Sequence, residues 1–150
     1  MKKQNGITVI EFTLMSSFLM LIVLAIGSIG YFMFSMQAVS DAVRSAARMA
    51  SVCQINDSDI KTYIANNSYI SSIGTENIEI EYLDGGSNVL ATPDSEDVRF
   101  VRARATGIDY RFVALLSFLG DSGVMTMPSF ETTIPSESLG QVPNDTNTDC

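Results

Sequence analysis

Hydrophobic and polar positions divide this chain into zones of different period. Residues 1–6, MKKQNG, are short, polar and basic. From Phe12 to Met36 no residue is charged, and after Glu11 the next charge is Asp41. As a helix that stretch is about 37 Å long at 1.5 Å per residue, against roughly 30 Å for the hydrocarbon core of a bilayer. Proline is absent and Leu, Met and Ala dominate, so residues 7–53 read as one long helix, with a transmembrane part at about 12–36. Beyond Gln37 the pattern turns amphipathic. Ala38, Ala42, Ala46 and Ala50 repeat every four residues, Val39, Val43 and Met49 widen the apolar side, and Arg44 and Arg48 form a row with Asp41 on the other.

The rest of the chain, residues 54–150, reads as a small head. INDSDIKTYIANNSYI predicts a short helix capped by Asp57 or Ser58, with Ile60, Tyr63 and Ile64 on one face. ENIEIEYLDGG alternates as a strand, Ile78, Ile80 and Tyr82 facing one way and Glu79 and Glu81 the other. DVRFVRARA predicts a second, with Val101, Ala103 and Ala105 opposite Arg102 and Arg104, whose charges match Glu79 and Glu81 across neighbouring strands. FVALLSFLG is too apolar for a free loop and is expected to cover the sheet or to form a short helix. GVMTMPSFETTI reads as a third, weaker strand interrupted by Pro128, and the Ser/Asn/Asp/Thr-rich tail after Pro135 as irregular. The predicted class is therefore α+β: a long N-terminal helix followed by a small head holding a short helix and a three- to four-stranded antiparallel sheet.

Composition narrows the function classes. With 9 basic and 17 acidic residues the formal charge is −8, which argues against nucleic-acid binding, since that needs a basic footprint. The chain has no histidine, so the commonest general base and zinc ligand is missing. No nucleophile motif is visible, and the acidic stretches DSEDVR and NDTNTD lack the spacing of a calcium loop. No enzyme activity, metal or cofactor is expected. Two cysteines, Cys53 and Cys150, match no metal or redox spacing; they are expected to pair if the head is exported and to be free thiols otherwise.

At the N-terminus the small residue precedes the apolar run, the reverse of an ordinary secretory signal. A cut after Gly6 leaves the hydrophobic segment on the mature chain, with Ile7 as its first residue and Glu11 one helical turn on. A carboxylate at a bilayer edge needs a partner; the new amine of Ile7, on the same chain or on a neighbour, is one, and a snorkelling glutamate without a partner is the alternative.

These residues resemble a known family. KKQNG followed by ITVIEF is similar to the processing region of type IV pilins and pseudopilins, whose class III leader ends in glycine and is followed by an apolar helix with glutamate at its fifth position. Gly6, Ile7 and Glu11 match those positions, and Phe12 fits the aromatic of the Flp/Tad branch. VIEFTLMSSFLMLIVLAIGSIGYFMF with QAVSDAVRSAARMAS resembles the TadE-like (TadE/TadF) minor pseudopilins, and the strand pattern and YRFVALLSFLG are similar to the family's head. Ser16 and Ser17 stand where proline is common in relatives.

The resemblance implies a division into a leader at 1–6, a helix at 7–53 and a periplasmic head at 54–150. It implies a single-pass protein of the inner membrane, cleaved after Gly6 by a prepilin peptidase, itself a membrane-embedded aspartic protease. Lys2 and Lys3 hold the leader on the cytoplasmic side. The implied partners are the major Flp pilin, other minor pseudopilins, an inner-membrane assembly platform and the lipid bilayer. The role is priming, tip formation or assembly of an adhesive fibre, with Glu11 setting register against a neighbour's amine. The rival reading is an uncleaved membrane anchor whose head binds an envelope partner or senses a ligand.

Overall fold

A computed structural model describes residues 5–70, 72–112, 116–117, 120–142, 146–147 and 150. Lys2 and Lys3 of the leader, residues 113–115 and 118–119 of the apolar FVALLSFLG segment, and residues 143–145 and 148–149 of the tail lie outside the described residues. The architecture is α+β. A long helix α1 (Asn5–Val52) and a short helix α2 (Ser58–Asn67) precede the strands β1 (Ile78–Leu83), β2 (Phe100–Ala105), β3 (Asp109–Arg111), β4 (Val124–Thr126), β5 (Phe130–Pro135), β6 (Gln141–Val142) and β7 (Thr146–Asn147). They make a three-stranded sheet in the order β1-β2-β5 and two two-stranded ones, β3-β4 and β6-β7. The chain divides into two compact units, Met1–Phe34 with Arg111–Met125, and Ser35–Tyr110 with Thr126–Cys150.

The first unit holds the apolar part of α1. The whole helix has 48 residues, about 72 Å at its standard rise, and its apolar stretch is long enough to cross a membrane. Residues 8–23 are all exposed, among them Ile10, Phe12, Phe18 and Leu19. The FVALLSFLG segment was expected over the sheet or as a short helix. Of its described residues, Phe112 and Leu116 belong to this unit and are buried, and the Phe112 ring stands 5.5 Å from that of Phe32 on α1. The Phe112 N–H donates to the Gly123 carbonyl at 2.8 Å. Gly123 has φ +83°, and a Cβ there would come within 3.1 Å of the Ser117 backbone, so this turn needs glycine.

The second unit is built on the alternation of β1 and β2. In antiparallel register Ile78, Ile80 and Tyr82 stand opposite Ala105, Ala103 and Val101. All but half-buried Ile80 are buried, while the alternate positions carry the charges. The core joins this face to Ala50 and Cys53 at the end of α1, Ile60 of α2, and Val98 and Leu139. Asp57 is the N-cap of α2, its Oδ1 accepting from the Asp59 N–H at 2.9 Å. Ile60 and Ile64 are buried as the spacing predicts, but Tyr63 is 54% exposed, because a tyrosine at the margin of the stripe keeps its hydroxyl in water.

Two strand expectations need correction. GVMTMPSFETTI is not one interrupted strand: β4 precedes Pro128 and pairs with β3, while β5 follows it and pairs with β2. Proline lacks the N–H that a continuous ladder would use. The ion pairs are also redistributed. Arg102 Nη1 meets Glu81 Oε2 at 3.3 Å, but Arg104 Nη2 reaches Glu131 Oε2 of β5 at 3.1 Å, although Glu79 stands opposite in register. A central-strand arginine has a neighbour on each side, and the Arg104 row offers a carboxylate on both, whereas the Arg102 row has Thr133 on the β5 side.

Candidate functional site

Two regions carry the candidate residues: the apolar face of α1, and the end of that helix. Gly6 and Ile7 lie within α1, and Glu11 is exposed on it one turn further on. Four residues of helix rise about 6 Å, so an amine created at Ile7 would stand within reach of the Glu11 carboxylate on its own or an adjacent helix. Hydroxyls in the apolar stretch bond back to their own helix, Thr13 Oγ1 to the Val9 carbonyl and Ser17 Oγ to the Thr13 carbonyl, both at 2.8 Å. Such bonds let a hydroxyl sit on an apolar surface without an unsatisfied donor. A Cβ added at Gly27 or Gly30 would meet nothing within 4 Å, so both leave an open notch on the helix.

In the amphipathic half, Ala38, Val39, Val43, Ala46, Ala47 and Ala50 are buried, and Ala42 and Met49 are half-buried. Arg44 and Arg48 stay exposed, with no ion pair among the described residues. Between this half of α1 and α2 lies a shallow cavity of about 200 Å³, lined by Ala38, Ala42, Ser45, Tyr63 and Tyr69 among others. Among the described residues no three His, Cys, Asp or Glu side chains converge as a metal site.

The C-terminal region closes over the end of α1. Cys53 and Cys150 form a disulfide with Cα atoms 5.7 Å apart. A helix leaves its last carbonyls without intrahelical partners. Here the Glu137 and Leu139 N–H groups donate to the Ser51 carbonyl at 3.1 Å, and the Gly140 N–H and Ser138 Oγ donate to the Val52 carbonyl at 2.7 and 3.1 Å. Leu139 is buried in the core, and Gly140, with φ +79°, passes so close that a Cβ would stand 2.8 Å from the Gln54 backbone. The Cys150 N–H donates to Asp57 Oδ2 at 3.0 Å.

The tail after Pro135, expected to be irregular, instead forms this clasp and the short strands β6 and β7; Leu139-Gly140, an apolar residue and a glycine in a polar run, marks the clasp in the sequence. Near the clasp, the Asn56 N–H donates to the Tyr82 hydroxyl at 3.1 Å. Burial pushes the Tyr82 pKa up, the nearby Asp57 charge adds to the rise, and the Asn56 N–H opposes it.

Comparison with known proteins bears on the first of these regions. The model of the TadE-like protein family matches residues 6–48, the stretch from Gly6 through the apolar helix to Arg48. No curated protein and no solved structure matches the chain. The family match supports a Tad pilus-associated protein.

Proposed function

We propose that this protein is a minor pilin, or pseudopilin, of a Tad-type pilus, anchored in the inner membrane with its head in the periplasm and processed after Gly6 by a prepilin peptidase. One observation carries the reading: Gly6, Ile7 and Glu11 fall inside the family match and open a helix whose residues are all exposed from 8 to 23. A surface of that kind needs lipid or other helices around it. The protein acts by assembly rather than catalysis.

Cleavage after Gly6 frees the Ile7 amine. That amine pairs with the Glu11 carboxylate of a neighbouring subunit, which fixes the axial register of the two helices at the bilayer edge, where an unpaired charge is costly. The major pilin and other minor pilins supply those neighbours.

The test is Glu11→Ala, with Glu11→Gln beside it, followed by co-purification of the major pilin and a count of surface fibres. Both variants are expected to be inserted and cleaved but to lose the partner and the fibres, since glutamine keeps size and loses charge. Wild-type co-purification and fibre number with Glu11→Ala would overturn the proposed role of Glu11.

A further inference from the structure

The part of α1 in the second unit carries a charged face beside a cavity. Asp41, Arg44, Ser45 and Arg48 are all exposed and recur at helical spacing, on the side of the helix away from buried Val39, Val43 and Ala50. Asp41 and Arg44 are spaced to pair along their own helix. Among the described residues they do not, and Arg48 makes no ion pair either. Asp41 lines the cavity between α1 and α2, whereas neither arginine does.

That cavity has the chemistry of a cation site. Along α1 it is lined by Ala38, Ala42 and Ser45, small side chains that leave room above the helix, and on the α2 side by Tyr63 and Tyr69. The two tyrosines are 54% and 81% exposed. A guanidinium entering such a space stacks on a tyrosine face while its N–H groups meet the Asp41 carboxylate. At about 200 Å³ the cavity is smaller than the roughly 300–1,000 Å³ of a small-molecule site and suits a single side chain.

We infer that this face joins two copies of the chain, with Arg44 of one copy entering the cavity of the other at Asp41, Tyr63 and Tyr69, and the reverse contact made at the same time. Charge complementarity argues for a second copy: one stripe of α1 holds both the carboxylate in the aromatic-walled cavity and the exposed guanidiniums that would answer it. Two copies held in one membrane by the apolar stretch of α1 run parallel and at one height. Side chains on a helix lean toward its N-terminus, so Arg44 of one copy reaches back to the level of Asp41 on the other, and Arg48 to the level of Ser45. The contact is self-complementary and closes as a pair. It rests on α1 as a membrane anchor, not on cleavage after Gly6 or on the pairing of Glu11.

Ser45→Cys tests the contact, because Ser45 lies within the face and Cys53 and Cys150 are bonded to each other. The full-length variant is reconstituted into vesicles of phosphatidylethanolamine and phosphatidylglycerol and oxidised with copper phenanthroline, and the covalent dimer is read on a non-reducing gel. Thr133→Cys, exposed on the three-stranded sheet, reports random collision. The Ser45→Cys dimer is expected to exceed that background. Asp41→Arg and Arg44→Asp, each added to Ser45→Cys, should lower the dimer roughly fivefold or more. The two together should restore it, because exchanging the charges keeps each pair. Tyr69→Ala should lower it by a smaller factor, through the lost ring face.

A Ser45→Cys dimer no more abundant than that of Thr133→Cys would overturn the inference. So would a dimer that survives Asp41→Arg, or one that fails to return in the double exchange. A dimer that forms only when phosphatidylethanolamine is left out would assign the cavity to the lipid ammonium group. An adduct of Ser45→Cys with another protein in the producing cell's membranes, in place of the dimer, would assign it to a different partner. Either result overturns the pairing of two copies. A chain that does not float with the vesicles would instead overturn the anchor, and the pairing with it.

Discussion

Removing the disulfide by Cys150→Ser should weaken the second unit more than any other single exposed substitution. Cys150 is exposed and Cys53 fully buried, so changing the former leaves the core packing of the latter in place. The bond closes a loop with a sequence separation of 97; chain entropy alone puts its contribution at about 4.7 kcal/mol. The clasp at Ser51 and Val52 still holds residues 137–140 when the bond is cut, and measured losses for small domains cluster lower, so the expected cost is about 2–4 kcal/mol. For a head of this size each kcal/mol moves the midpoint by roughly 4–8 °C, which puts the shift at about 8–32 °C.

Differential scanning calorimetry of the detergent-solubilised protein reads that shift, and wild-type protein treated with dithiothreitol should coincide with Cys150→Ser. A midpoint within about 2 °C of the oxidised wild type would refute the reasoning. The strap would then be held by its hydrogen bonds and Leu139 alone.

Further outcomes follow from the same region. Gly140→Ala should cost about 2 kcal/mol or more, because it places a Cβ at positive φ against the Gln54 backbone; denaturant midpoints would read the loss. Tyr82→Phe should cost about 1 kcal/mol by stripping the Asn56 N–H of its acceptor. The raised Tyr82 pKa also has a signature in alkali. The folded state holds the phenol proton more tightly than the unfolded one, so its contribution is complete below the unfolded value near pH 10 and is lost as pH rises above it. Unfolding midpoints measured from neutral pH upward should therefore fall less steeply above pH 10 in Tyr82→Phe than in the wild type, and parallel curves would contradict this assignment.

Local pattern carried much of the fold. The 3.6-residue period of Val39, Val43, Ala46 and Ala50 and the two-residue period of Ile78 to Tyr82 each name a buried face, and those residues bury that face, with Ile80 half-buried. Period does not name neighbours. It gave Arg104 an outward face without saying that Glu131, from a strand 27 residues on, is the carboxylate it reaches. The strands β3, β6 and β7, of two or three residues each, are too short to show alternation at all.

The clasp was hidden for a different reason. Three of its four donors are backbone N–H groups, of Glu137, Leu139 and Gly140, which any sequence possesses, the fourth is the Ser138 hydroxyl, and the acceptors are helix-end carbonyls. Only the turn glycine and the lone leucine mark it. At the start of α1, Gly6, Ile7 and Glu11 stand out as candidates because a small residue, an apolar run and a single carboxylate follow one another. The ring partner of Phe32 was not legible, because Phe112 lies eighty residues further along the chain.

Processing at Gly6 is the point on which the pilin reading turns, and the intact mass of the protein extracted from the producing cell's membranes tests it directly. Gly6→Glu serves as the companion, since a bulky charged side chain replaces the residue that lets the backbone enter a peptidase groove. The account predicts a wild-type chain beginning at Ile7 and a Gly6→Glu chain that keeps its leader. A wild-type chain that still carries residues 1–6, or a Gly6→Glu chain cleaved like the wild type, would contradict it.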